Sequence, residues 1–332
     1  MNGLLAIYKK QGSTTSRLGE LLDNGLKTMS HRGSITSSSF FKDGKKQDEA
    51  DANMAMGACS LHGGASHIAS HNGNLLFFEG RLINKPELGK QLSIASDDVA
   101  DAEVVLKQLE IRGSDCLASL KGFWSLIYFD AANKLMYCAR DHFGCRTLFY
   151  CNSGNQFAVS TESRTLYTLF DDSRSVDKYT VTDFLLWGNI GQSDQYFFKD
   201  IKSIEPSHFL KYDMKNDSLT VERYYDLPYN KSNESYKEAS EKQYLERLRT
   251  LLTDSVNRNL QLFDGVPAIG VSGGMDSSSL ICTAKKLDPQ KTIVAYTTTD
   301  KYDGGEVCWA EKVVRHTGAE WIKVVCTAED II

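Results

Sequence analysis

The sequence predicts two successive architectures, an α+β domain built mainly of strands and then an alternating α/β domain with a parallel sheet. Three observations carry this. Up to about residue 226, short strand-like runs are separated by Gly, Asn and Asp turns. Residues 228–239 are polar, rich in Asn, Ser, Lys and Glu, and read as a linker. Beyond them, segments of helical and strand period alternate, the pattern of βαβ units. The domains expected are therefore residues 1–226 and 235–332.

In the first domain the strand-like runs are residues 4–8, 75–83, 123–129, 135–139, 147–150 and 157–160, followed by 208–212 and 219–225. One helix interrupts them, over 101–112, with Ala102, Val105, Leu106 and Leu109 as its inward stripe. In the second domain Tyr244, Leu245, Leu248, Leu251, Leu252, Val256 and Leu260 trace one face of a long helix. Strand 266–271, helix 277–287, strand 292–297, helix 306–317 and strand 321–326 follow. Such alternation implies right-handed parallel crossovers, with ligands at the carboxyl ends of the strands. Thr327-Ala328-Glu329-Asp330 reads as a capping box opening another helix. With so thin a sheet, the sequence is expected to stop inside its second domain.

Composition bounds the function. The chain has 332 residues, 41% of them apolar, a net charge of -5 and a pI near 5.9, which gives no general attraction to nucleic acid or anionic membrane. The cysteines, at 59, 116, 138, 145, 151, 282, 308 and 326, form no CxxC pair and read as thiols in a reducing compartment. No stretch approaches the ~18 apolar residues of a membrane span, and the cytoplasm is the default expectation.

The most informative segment is Val271-Ser272-Gly273-Gly274-Met275-Asp276-Ser277-Ser278, between the strand ending at 271 and the helix carrying Leu280, Ile281, Ala284 and Leu287. Adjacent glycines let the backbone approach a ligand, and unpaired amides at a helix start attract an anion. Ser272, Ser277 and Ser278 add hydroxyl donors. Asp276 would repel a bare phosphate, so its sensible task is to hold Mg²⁺ that bridges phosphate oxygens. A plain Gly-Ser turn with an N-cap is the simpler reading, but the full Ser-Gly-Gly-X-Asp-Ser string in strand-to-helix context favours a pyrophosphate cradle and makes ATP the leading ligand. No Gly-Lys-Ser/Thr occurs in it. The string resembles the loop of ATP pyrophosphatases, which cut ATP between the α and β phosphates.

Several ordered segments then resemble the asparagine synthetase family across nearly the whole chain. They are His31-Arg32-Gly33, Glu79-Gly80-Arg81-Leu82-Ile83-Asn84, Asp101-Ala102-Glu103-Val104, Ala139-Arg140-Asp141-His142-Phe143-Gly144, Leu148-Phe149-Tyr150 and Ser160-Thr161-Glu162. The resemblance implies an Ntn-hydrolase-like αββα glutaminase domain followed by an α/β, Rossmann-like synthetase domain that adenylates a carboxylate. In that family a cysteine directly after the initiator methionine hydrolyses glutamine, with its own α-amine as base. Asn2 stands there in this chain. The family's carboxylate-clamping Arg corresponds to Gly64 and its oxyanion-hole Asn to Glu79, beside Gly80, while Asp101 is retained. Loss of nucleophile, clamp and oxyanion donor together implies a domain kept for shape.

The resemblance accordingly implies a ligase that uses ATP and Mg²⁺ to join a small-molecule or peptide carboxylate to ammonia or a substrate amine. β-Lactam and carbapenam synthetases and lasso-peptide cyclases are family branches of that kind. The alternatives are an ordinary glutamine-hydrolysing asparagine synthase and a non-catalytic scaffold or regulatory subunit. A homodimer, or pairing with the remaining synthetase portion, is the expected association. His62, His67 and His71 share no helix face and read as strand and loop side chains rather than a metal site. Arg140-Asp141 reads as structural. Glu306 starts a helix near the expected nucleotide, and Tyr296, Thr297 and Thr298 lie at a strand end where backbone groups could meet adenine or ribose.

Overall fold

The computed structural model describes residues 2–10, 18–42, 45–49, 52–61, 67–94, 99–170, 175–190, 193–227, 240–262, 265–299 and 305–330. Contacts divide the chain into two compact units, Met1–Pro228 and Tyr229–Ile332. In chain order the first runs β1 (Gly3–Lys9), α1 (Leu18–Thr28), β2 (Ile35–Lys42), β3 (Lys45–Lys46), β4 (Met54–Ser60), β5 (Ile68–His71), β6 (Asn74–Leu82), α2 (Lys85–Gln91) and α3 (Asp101–Arg112). It continues with β7 (Gly122–Asp130), β8 (Leu135–Arg140), β9 (Phe149–Ser153), β10 (Gln156–Ser160), α4 (Ser163–Leu169), α5 (Lys178–Trp187), β11 (Ile201–Ser203), β12 (His208–Asp213) and β13 (Ser218–Arg223).

These strands form two antiparallel sheets, ordered β11-β9-β10-β1-β4-β2-β3 and β13-β12-β8-β7-β6-β5. Side chains alternate along each strand. Leu4, Ala6 and Tyr8 of β1 therefore meet Phe77, Ile127, Met136 and Tyr212 of the second sheet in a shared core. Leu5 and Ile7 point the other way, into a layer made with Leu18, Leu22 and Leu26 of α1 and Leu166 of α4. On the far side, Leu76, Phe78 and Leu126 pack against Val105, Leu106 and Leu109 of α3. The layer order is αββα, as the resemblance implies. Burying a large apolar side chain on both faces of both sheets, at about 1.5–3 kcal/mol each, is what holds the layers together.

The single helix expected in this unit is present, and α1, α2, α4 and α5 are additional. The strand expected over 147–150 begins later, at Phe149, because the preceding turn is organised around a buried carboxylate. Asp141 accepts the amides of Phe143, Cys145 and Arg146, each at 3.0 Å. Arg140 donates to the carbonyls of Ile204 at 2.9 Å and Gly144 at 2.6 Å. This pair is structural: it pins a loop to β7 and to the start of β12. Cys59, Cys116, Cys138 and Cys151 are buried as free thiols, and Cys145, Cys308 and Cys326 are exposed.

The second unit runs α6 (Glu241–Leu260), β14 (Ala268–Gly270), α7 (Met275–Leu287), β15 (Val294–Thr299), α8 (Val307–Thr317) and β16 (Glu320–Val325). Its strands are parallel in the order β14-β15-β16. The core joins Val271, Ile281, Ala284, Ala295, Ala310 and Val314. Of the apolar stripe expected along α6, Val256 and Leu260 pack on this core, whereas Tyr244, Leu245, Leu248 and Leu251 are exposed. On α7 Ile281 and Ala284 are buried, and Leu280 and Leu287 are not. At the carboxyl end Thr327 donates both its amide and its hydroxyl to Asp330 Oδ2, at 2.7 and 2.8 Å, ahead of a short 3₁₀ turn. No helix among the described residues is long and apolar enough to cross a membrane.

Candidate nucleotide loop and the polar cluster at Asn2

The loop after β14 is shaped by Gly273. Its φ of +82° is open to glycine, and a Cβ there would stand 2.5 Å from Trp309 Cβ and 2.6 Å from the Ala310 amide. The backbone thus turns against the first turns of α8. Val271, which leads into the loop, is held from both sides. Its amide donates to Tyr296 O at 2.7 Å, and its carbonyl accepts the Thr297 hydroxyl at 2.7 Å. That hydroxyl in turn accepts Trp321 Nε1 at 3.0 Å.

Helix α7 begins at Met275, two residues earlier than the sequence suggests, and Gly274 is its N-cap. The amides of Met275, Asp276 and Ser277 consequently fall in the first turn, where no preceding carbonyl is available to accept them. Ser272, Gly274, Met275 and Asp276 are exposed to solvent. The hydroxyls expected as free donors are partly engaged instead. Ser272 Oγ accepts the Gly274 amide and Ser277 Oγ accepts the Ser272 amide, both at 3.2 Å, and the two hydroxyls lie 3.2 Å apart. Ser278 Oγ is buried with no hydrogen-bond partner among the described residues. The first-turn amides, the helix dipole and these long hydroxyl contacts leave a helix start whose charge distribution would favour an anion.

Thr297 is buried, and its hydroxyl is held between Val271 and Trp321, so its side chain supports the strand; the expectation for this strand end concerns backbone groups, on which these side-chain bonds do not bear. Thr298 and Tyr296 point to the opposite, exposed side of β15. Glu306 is the residue before α8, with its carbonyl accepting the amides of Trp309 and Ala310. Asp276 is an exposed carboxylate, and no group of three or more potential metal ligands occurs among the described residues. One carboxylate suits Mg²⁺ carried on phosphates, not an ion caged by protein alone.

In the first unit the structure brings Asn2 and Glu79 together through a residue that sequence reasoning quoted only as part of a motif. Arg32 Nη1 donates to Asn2 O and to Glu79 Oε1, both at 3.2 Å, and its Nε donates to Glu162 Oε1. Ser125 Oγ donates to Glu79 Oε2 at 3.2 Å, and Arg146 Nε stands 3.9 Å away from Glu79 Oε1. His31 Nε2 lies 2.9 Å from Glu162. Glu79 is only 1% exposed. Burial pushes its carboxyl above the usual range, outweighing the pull of Arg32, Arg146 and Ser125 in the other direction. The charged groups beside Asn2 are thus paired with one another.

Gly80 has φ +117°, and a Cβ would lie 2.0 Å from Phe123 O, so it serves the close pairing of β6 with β7. Asp101 Oδ2 accepts the Leu82 amide at 3.0 Å, tying the first turn of α3 to the end of β6. Gly64 and His62 lie outside the described residues. His71 Nδ1 is 2.8 Å from Glu110 and His67 is buried. Arg32 and Glu162 stand in the quoted segments His31-Arg32-Gly33 and Ser160-Thr161-Glu162, whereas Arg146 stands in none; that the three meet is set by tertiary contacts.

Comparison with known proteins bears on both sites. A family model described as a glutamine amidotransferase domain matches residues 1–225, and one described as asparagine synthase matches residues 247–332. The first unit is thus of the amidotransferase class. With both models in sequence, the chain belongs to the asparagine synthetase family. Asparagine synthetase [glutamine-hydrolyzing] 3 of Bacillus subtilis is 26% identical over 277 residues, 77% of this chain and 43% of that protein. A putative asparagine synthetase [glutamine-hydrolyzing] 2 of Methanocaldococcus jannaschii is 27% identical over 210 residues, 62% of this chain and 39% of that protein. The chain spans less than half the length of these curated relatives. Among solved structures, glutamine phosphoribosylpyrophosphate amidotransferase of Bacillus subtilis, complexed with ADP and GMP, has a TM-score of 0.49 at 14% identity, covering 99% of this chain and 91% of that one.

Proposed function

We propose that the chain is the nucleotide-handling part of an ATP-dependent ligase that activates a carboxylate and makes an amide, without hydrolysing glutamine itself. The observation that carries this is the open first turn of α7 behind Gly273. In the proposed reaction a substrate carboxylate oxygen attacks the α-phosphorus of ATP, and the bond to the β-phosphate oxygen breaks. Pyrophosphate leaves with that electron pair, giving an acyl-adenylate. An amine nitrogen then attacks the acyl carbon, AMP departs, and the nitrogen loses a proton. The amides of Met275, Asp276 and Ser277 and the hydroxyls of Ser272 and Ser277 would hold the pyrophosphate charge, fixed before reaction. Asp276 would hold Mg²⁺, which neutralises phosphate charge when bound.

Independence from glutamine rests on Asn2, whose side-chain amide is no nucleophile, and on Glu79, which places a carboxylate where developing negative charge would be opposed. The chain spans less than half of its relatives' length, and we include in the reading that the loop works together with the remaining synthetase portion. The decisive experiment is pyrophosphate binding to the 332-residue chain, read as a rise in the melting temperature of the second unit with added Mg²⁺. No rise at millimolar pyrophosphate would remove the cradle reading. Release of glutamate from glutamine by the purified chain would remove the other half.

A further inference from the structure

The loop after β14 carries no cation of its own. Residues 266–284 hold neither Lys nor Arg, and Asp276 adds a negative charge where a polyanion is proposed to sit. Magnesium offsets only part of this, because a Mg²⁺-bound pyrophosphate is still an anion. A positive charge brought in by another element would complete the balance, and α8 carries one.

Helix α8 meets the loop at Gly273. A Cβ on that residue would lie 2.5 Å from Trp309 Cβ, so the Trp309 side chain starts against the loop backbone, and it is 56% exposed. Because β14 and β15 are parallel, α7 and α8, which follow them, begin at the same end of the sheet. Lys312 comes one turn after Trp309. Residues i and i+3 are neighbours on a helix, and their side chains lean toward its N-terminus. The Lys312 ammonium accordingly reaches back toward the loop end of the sheet, with Nζ 3.9 Å from the centroid of the Trp309 ring.

This charge is unspent. Glu311 is taken by Arg315 at 2.6 Å, and Lys312, which is exposed, makes no ion pair among the described residues. A cation over an exposed ring is held weakly, whereas a charge-assisted hydrogen bond to a phosphate oxygen is strong. The indole is therefore a resting place that the ammonium leaves when a better acceptor arrives.

We propose that Lys312 is a pyrophosphate-binding residue: in the free chain it rests on Trp309, and on binding its ammonium donates to an oxygen of the phosphate that lies beyond the one seated on the α7 amides. An indole stands between Gly273 and the ammonium, so its reach suits the second phosphate of a pair. The loop amides would accept any small anion, and Lys312 would make the site prefer two linked phosphates to one. The ligand rests on the ligase reading above; the contact of Trp309 with the loop and of Lys312 with Trp309 is the chain's own geometry.

The test is isothermal titration of the full chain, in Mg²⁺, with pyrophosphate and then with orthophosphate. Lys312→Gln should weaken pyrophosphate about tenfold and orthophosphate less than about threefold, and Lys312→Arg, which keeps the charge, should restore pyrophosphate binding to within about threefold of the parent. Lys286→Gln removes the same charge at the far end of α7 and should leave both anions within about threefold of the parent. Trp309 emission, taken as the difference from Trp309→Phe, should change on adding pyrophosphate, and Lys312→Gln should abolish that change. Pyrophosphate binding equal in Lys312→Gln and the parent, or equally weakened in Lys286→Gln, would overturn the proposal and leave the ligase reading standing. No pyrophosphate binding by the parent chain would remove that reading and the proposal with it.

Discussion

The two units differ in how each has dealt with its polar and apolar surface. In the first, three buried clusters fill the space between the sheets and under the helices, and the charges beside Asn2 are paired among Arg32, Glu79 and Glu162. The second is more open, with the loop residues at the start of α7 in solvent and a bare sheet face bearing Tyr296, Ile322 and Val324. A site that has neutralised itself serves the fold, and a site with unspent donors is available to a ligand. The contrast is what the proposed function rests on.

The sharpest way to break this contrast is to delete similar apolar bulk from each unit. Phe77→Ala removes a ring that is 1% exposed between the two sheets, and should cost about 3–5 kcal/mol of unfolding free energy by denaturant titration. A small loss there would mean the sandwich is loosely packed. Gly273→Ala comes next. The positive φ and the contact with Trp309 should together cost about 1–3 kcal/mol, and the thermal shift given by pyrophosphate should disappear. A variant that still binds would move the anion site away from the loop.

Glu79→Gln should act in the opposite direction and more weakly. Since burial raises the Glu79 carboxyl, its contribution to folding is full below the ordinary glutamate value of 4.5 and is lost as pH rises through the higher folded value. The glutamine variant keeps an acceptor for Ser125 and leaves Arg32 paired with Glu162. It should be about 1 kcal/mol more stable at pH 7, or about 2–4 °C in Tm, with the gap closing on acidification below the glutamate range. A less stable variant at pH 7 would show that the ion pairs outweigh desolvation. Ile322→Ser on the bare face should be smallest, within about 0.5 kcal/mol for the isolated chain. A large loss would mean that this face is covered within the free molecule.

Much of the fold is legible in the sequence wherever burial is one-sided or strictly periodic. The stripe Ala102, Val105, Leu106 and Leu109 gives α3, and the alternation of helix and strand gives the second sheet. Helix α1 is harder to read, because Gly19, Asn24 and Gly25 interrupt its pattern; Gly25 lies where Leu5 and Thr165 approach too closely for a side chain. Strand β1 looks like an undivided apolar run because both of its faces are buried. The loop string is local and therefore visible. Thr297 is not, since its use depends on Trp321, which is brought to it only by the β15–β16 register. Arg32 and Glu162 are likewise 130 residues apart and meet only in the folded sandwich.

The distribution of thiols turns this molecule into its own labelling assay. Burial pushes the Cys116 and Cys151 thiols up to about 12 and raises Cys59 and Cys138 as well, so these four react with alkylating reagents only when the first unit opens. Cys308 and Cys326, exposed in the second unit, react in the folded state. Mass spectrometry after a short alkylation pulse therefore dates the opening of the sandwich, site by site, without any engineered reporter.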